Sequence, residues 1–152
     1  MYKDTITLFN RYPNRASGTK WQPVVIHGVD VNMDRAALIK AMGTDTADSV
    51  RLHVKYHKDR RGKVIIGDKE YLLPKEYIRQ PLDSLENYIT FKSGKEFDFF
   101  YYGEWDNTAL INDDDYTDGF YNYMNSEYDN VFTISSASGT YNLIPHFEIL
   151  GK

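Results

Sequence analysis

Cysteine is absent from this chain of 152 residues. That excludes a disulfide scaffold, a thiol nucleophile, an iron–sulfur cluster and any zinc site built on thiolates. Tryptophan occurs only 2 times and proline 5 times. No apolar run approaches the ~20 residues needed to span a bilayer, so no membrane segment is expected. The opening residues Met1-Tyr-Lys-Asp-Thr5 lack the apolar stretch of a secretory signal. With neither that stretch nor cysteine, a reducing cytoplasm is the expected place of synthesis and residence. There is no internal repeat and no low-complexity segment, which excludes solenoids and propellers.

What is present suits a single domain over 1–152, long enough to bury a core without staples. Apolar residues make up 41% and charged residues 26%, too apolar for a disordered tail. Aromatics reach 15%, and 13 of them are tyrosines. Tyrosine combines a large contact area with a polar tip, which suits half-buried strand faces and protein interfaces. Charge is unevenly distributed. Residues 1–80 carry 15 Lys and Arg against 9 Asp and Glu, a balance of +6. Residues 81–152 carry 3 against 13, a balance of −10, and the whole chain is at −4. A net acidic chain is a poor general binder of polyanions.

Alternation of apolar and polar residues predicts strands over 4–12, 21–31 and 50–56, with Val50, Leu52, Val54 and Tyr56 in phase. His27-Gly28 inside the second run predicts a bulge or a close backbone approach. Further strands are expected over 64–66, 71–73, 88–91, 131–135 and 140–150, and Phe97-Asp-Phe-Phe-Tyr-Tyr102 is the most aromatic stretch in the chain. Turns are expected at Gly67-Asp68, Ser93-Gly94 and Ser138-Gly139. Helices are predicted over 35–42, closed by Gly43, and over 116–124, with acids in the first turn where the dipole favours them. Pro81 limits 75–87 to a helical turn and a loop. The resulting fold class is mainly β: a small β-barrel or sandwich of about seven strands with two short helical insertions.

Chemical motifs are weak. His27, His53, His57 and His146 have no HExxH or Cys partner, although His53 and His57 would share one strand face. Gly62 to Lys69 resembles a phosphate loop but lacks its Lys-Ser/Thr pair and its open middle. Ser135, Ser136 and Ser138 lack a nucleophile elbow. Asp113, Asp114 and Asp115 are consecutive, whereas a calcium loop wants alternate positions and a distal Glu. Glu104-Trp105-Asp106 is the best enzyme candidate, since two carboxylates beside an exposed Trp suit a glycan. The sharpest electrostatic feature is the run Lys58, Arg60, Arg61 and Lys63. Together with the acidic segment Asp113, Asp114, Asp115 it suggests a subunit that packs head-to-tail on a copy of itself and closes into a ring.

Three strings carry a resemblance: Met1-Tyr-Lys-Asp-Thr-Ile-Thr-Leu-Phe-Asn10, Tyr116-Thr-Asp-Gly-Phe-Tyr-Asn-Tyr-Met-Asn125 and Tyr141-Asn-Leu-Ile-Pro-His-Phe-Glu-Ile-Leu-Gly-Lys152. With them the chain resembles an uncharacterised family of small bacteriophage and prophage virion proteins, and its opening resembles minor capsid and head-closure proteins of the neck. The resemblance implies a head–tail connector or head-closure subunit, a virion location after assembly in the bacterial host cytoplasm, and portal, connector and tail proteins as partners. It also implies DNA passing an acidic lumen without specific binding. It carries no catalytic residue, metal or cofactor. A tail terminator or other minor capsid protein is the nearest alternative. A small carbohydrate-binding domain or glycoside hydrolase using Glu104, Trp105 and Asp106 is the alternative of another class, and a DNA binder using the basic loop is a third.

Overall fold

A computed structural model of the chain describes residues 2–33, 50–139 and 145–152. The helix expected over 35–42 lies outside these residues, as does the start of the strand expected over 140–150. In chain order the strands are β1 (Asp4–Tyr12), β2 (Lys20–Met33), β3 (Val50–Lys55), β4 (His57–Lys58), β5 (Val64–Ile66) and β6 (Lys69–Tyr71). They continue with β7 (Tyr88–Ile89), β8 (Phe99–Tyr101), β9 (Ile111–Asn112), β10 (Val131–Ser138) and β11 (His146–Gly151). Two α-helices are described, α1 (Pro74–Tyr77) and α2 (Phe120–Glu127).

Of the two architectures the strand pattern allows, the barrel forms. The strands β1-β8-β10-β11-β3-β2 pair in that order, and β1 pairs back onto β2, so the sheet closes on itself. Every junction in the ring is antiparallel. Closing so few strands demands sharp bending, and bulges supply it. In β2 the register slips between Asp4↔Val29 and Thr5↔His27, which leaves Gly28 unpaired at φ +70°. Glycine adopts that conformation without a Cβ penalty, so the sequence signal at His27-Gly28 has a backbone cause. A second slip in β10 lies between Ile134 and Ser136. Each bent strand takes up a second partner near its bulge: β2 reaches β3 from Asp30 on, and β10 leaves β8 after Thr133 and pairs with β11 from Ile134 through its bulge to Ser138.

The barrel interior is aliphatic and aromatic: Ile6, Leu8, Val24, Leu52, Phe100, Ile134 and Ile149 are among its members. Strand β3 alternates as its sequence predicts, with Val50, Leu52 and Val54 buried and Arg51 and Lys55 exposed. Two insertions cover the barrel. The first, between β3 and β8, is a small sheet in the order β4-β5-β6-β7, followed in space by α1 and a 3₁₀ turn, Leu82–Asn87. Its Ile66, Ile89 and Phe91 join the barrel core, and the Phe147 ring meets Tyr56, Tyr71 and Phe91 at 5.2, 4.7 and 5.1 Å. It enters from the C-terminal end of β3 and leaves into the N-terminal end of β8, so it plugs one mouth. Pro74, expected only to end a strand, starts α1 at the first helical position, where its missing N–H is no loss.

The second insertion, between β8 and β10, lies on the side of the barrel. It carries β9, which pairs with Lys20 and Trp21 of β2, a 3₁₀ turn at Asp113–Asp115, and α2. Strand β1 is therefore buried on both faces. Ile6 and Leu8 point into the barrel, while Phe9 meets Phe99 at 4.9 Å, Phe120 at 5.1 Å and Trp105 at 5.5 Å. Fully burying a side chain such as Phe120 contributes about 1.5–3 kcal/mol. The helix expected over 116–124 begins later, because Tyr116 is extended and Gly119 turns the chain at φ +89°. Strand β10 runs through Ser138, which pairs with Glu148, so Ser138 is a strand residue rather than part of the turn expected at Ser138-Gly139.

One carboxylate joins the plug to the barrel. Asp98 is 1% exposed and accepts from the backbone N–H of Arg11 (2.7 Å) and Lys92 (2.9 Å) and from the Asn10 amide (3.0 Å). That amide also donates to the carbonyl of Thr90 at 2.7 Å. Burial pushes the Asp98 carboxyl up to about 7, against the pull of these donors. The folded value lies above the ordinary 3.8, so the fold binds this proton more tightly than the open chain does. The stabilising share of Asp98 is complete below that ordinary value and is lost as pH rises to about 7. We expect urea midpoints to fall between pH 4 and 7, with Asp98 adding a slope of at most ~1.4 kcal/mol per pH unit. Asp98→Asn should remove that part of the slope; an unchanged pH profile in the variant contradicts the assignment.

Candidate functional site

The two insertions differ in charge. Residues 56–98 of the plug carry nine Lys and Arg against eight Asp and Glu, but four of the cations crowd into residues 58–63 beside a single acid. Residues 102–130 of the side wall carry eight Asp and Glu and no Lys or Arg. Topology maintains the split. Strands β3-β2-β1 run side by side as one half of the ring and β8-β10-β11 as the other, so folding does not shuffle the two ends of the chain.

The basic run caps the β4–β5 hairpin. Asp59 shapes it: its Oδ1 accepts from the N–H of Arg61 and of Lys63, each at 2.9 Å, and its carbonyl accepts from Gly62 N–H at 3.0 Å. These bonds, the one from Lys63 first, hold the Asp59 carboxyl below the usual carboxylate range. Lys63 pairs with Glu70 at 3.2 Å. Lys58, Arg60 and Arg61 are exposed, and among the described residues none has an ion-pair partner. Cations on the barrel strands behave differently: Arg11 reaches Glu96 and Arg51 reaches Glu148, both at 3.5 Å. Lys58, whose place was expected in the loop, is the last residue of β4 and pairs with Val64. The Gly62 to Lys69 run is two strands and two turns, with no helix start to face a phosphate.

The three consecutive acids are not equivalent. Asp113 is half-buried, and its Oδ1 accepts from Trp21 Nε1 at 2.9 Å and from Phe120 N–H at 2.8 Å. It fastens the first amide of α2 to strand β2. The close fit leaves little room at Gly119, where a Cβ would come within 3.3 Å of the Asp113 carboxylate. Asp114 and Asp115 are exposed. Periodicity did not separate the three; the indole and helix start that select Asp113 are distant in sequence.

Trp105 is packed rather than offered. It is half-buried edge-on against Phe9, Phe120 and Tyr128, and its backbone N–H donates to Thr7 Oγ1 at 2.9 Å. Glu104 lies 3.4 Å from His27 Nε2, and Asp106 is exposed. The segment is not a strand, so no strand alternation places the two carboxylates on one face. His57 leaves β3 for the second sheet, and the imidazole near His53 is His146 instead, at 5.2 Å between rings. Among the described residues no three His, Asp or Glu side chains form a group able to hold a metal ion. No helix in them is long and apolar enough to cross a membrane.

The wall shows tyrosines as well as acids. Tyr123 and Tyr128 are 37% and 36% exposed. Tyr123 lies on Tyr116 at 4.7 Å, and Tyr128 meets Tyr101 at 5.3 Å and Trp105 at 6.2 Å. Partial burial raises the Tyr128 hydroxyl, and Tyr123, Tyr101, Asp106 and Glu127 add to it. Among the described residues no Lys or Arg pairs with Asp106, Asp114, Asp115, Asp118, Glu127 or Asp129.

The sequence pattern of a family described as "Family of unknown function (DUF6751)" matches residues 1–152. No curated protein and no solved structure matches the chain.

The geometry separates structural from surface acids in a way that stability measurements check. Asp113→Ala removes two hydrogen bonds, leaves the Trp21 N–H without its acceptor, and should cost about 1–3 kcal/mol in urea unfolding. Asp114→Ala and Asp115→Ala should each stay within about 0.5 kcal/mol of the parent chain.

Proposed function

The chain belongs to the family of unknown function DUF6751, and we propose that it is a structural virion protein of a tailed phage or prophage: a head–tail connector or head-closure subunit that acts by ring assembly. The observation that carries this reading is a cluster of exposed cations at the hairpin of one insertion and a cation-free, acidic second insertion on the same closed barrel. Among the described residues, Lys58, Arg60 and Arg61 at the plugged mouth and Asp106, Asp114, Asp115, Asp118, Glu127 and Asp129 on the side have no ion-pair partner. Two different patches that complement each other make a heterologous contact, which closes into a ring when the rotation permits. Complementary potentials also steer copies together and fix their register. The virion setting rests on the resemblance of the three strings to phage proteins.

In this reading the partners are further copies of the chain, then portal, connector and tail proteins at the two faces of the ring. The location is the virion, after assembly in the host cytoplasm. The wall carries more carboxylates than the hairpin has free cations, so net negative charge remains to let DNA pass without capture. A tail terminator or another minor capsid protein would use the same device. No observation favours the glycan reading, because Trp105 is engaged by Phe9 and Phe120.

Negative-stain imaging tests the proposal. The parent protein should form rings, and Arg60→Glu/Arg61→Glu should abolish them while circular dichroism and urea midpoint stay unchanged, since both side chains are exposed. Normal rings from that variant would remove the electrostatic basis.

A further inference from the structure

Resting on the ring reading, the inference concerns where the basic hairpin lands. The acidic segment marked by the sequence, 113–115, is a poor receiver, because Asp113 is engaged by Trp21 and Phe120 N–H. The exposed face beside it is better suited. Helix α2 turns Phe120 and Met124 inward onto the barrel and leaves Tyr123 outward, with Tyr128 just past its end. Tyr123, Phe120, Trp105 and Tyr128 form one continuous run of ring contacts. Asp118, Glu127 and Asp129 flank it in sequence, all exposed.

We propose that this tyrosine face of α2 is the docking surface for the Arg60–Arg61 hairpin tip of a second copy of the chain. Guanidinium groups suit it on two grounds. They stack on aromatic faces, and their planar fork bonds carboxylates in two places at once. A lysine ammonium does neither as well, which makes Arg60 and Arg61 the anchors and Lys58 a peripheral charge. Both sides are preorganised. The hairpin is shaped by Asp59, and the tyrosines are held by ring contacts, so little side-chain freedom is lost on docking. The occupant is a copy of this chain because the chain itself carries the cations that complement the wall: Arg60 and Arg61 are exposed, adjacent and, among the described residues, without ion-pair partners.

Charge exchange tests the pairing. Arg60→Glu/Arg61→Glu and Asp118→Arg/Glu127→Arg should each fail to assemble alone, and an equimolar mixture of the two should regain assembly measured by light scattering. Arg60→Lys/Arg61→Lys keeps charge but not the fork, and should weaken assembly at least tenfold in midpoint concentration. Tyr123→Ser/Tyr128→Ser should do the same while the variant stays folded in the absence of urea, although losing their ring contacts lowers its urea midpoint. If the parent assembles and the Asp118→Arg/Glu127→Arg variant assembles equally well, the surface belongs to some other partner, such as a basic segment of another protein, and this inference is overturned. A parent chain that stays monomeric overturns the ring reading itself.

Discussion

Closure of the barrel through strand β1 is the constraint on which the rest depends. This strand pairs with β2 on one edge and β8 on the other, and it is buried on both faces from Ile6 to Asn10. An edge-free sheet leaves no row of unpaired backbone groups to recruit other strands, so contacts between copies fall to side chains and insertions. The inner face of β1 organises the barrel core, its outer face seats α2 through Phe9, and its end holds the plug through Asn10, Arg11 N–H and Asp98. A change that loosened β1 would disturb all of these at once.

The insertions turn this scaffold into an object with two poles. One offers a hairpin on which Lys58, Arg60 and Arg61 have no ion-pair partner among the described residues, the other a wall with tyrosines and carboxylates but no Lys or Arg between residues 96 and 151. Surface ion pairs are individually worth ~0–1 kcal/mol. In the proposed ring a repeating contact between copies would multiply that small term, and aromatic burial would add what electrostatics alone does not supply. That division of labour fits a protein that works by position and contact.

Much of the scaffold was legible in the chain because strand periodicity is local. Strand β3 alternates, and a glycine inside the β-branched run 24–31 marked the bulge at Gly28. What escaped was set by partners distant in sequence. Strand β9 is two residues long and exists through its pairing with Lys20 and Trp21. Asp98, within the run Phe97-Asp-Phe-Phe-Tyr-Tyr102, had no role assigned from the sequence; a lone charge among aromatics was the available hint that it is buried. Among Asp113, Asp114 and Asp115 nothing local singles out the first. Trp105 reads as an exposed platform until Phe9 is placed beneath it. The charge asymmetry was visible by counting, but only the strand order shows that folding preserves it.

The account stands on copies of the chain holding one another through opposite charges, and sedimentation velocity across ionic strength tests that most directly. At low salt the protein should sediment as a defined assembly many times 17.7 kDa. It should shift toward the single-chain mass as salt rises, since screening shortens the reach of exposed charges to ~3 Å at 1 M. A single-chain boundary at low salt and high protein concentration would contradict it.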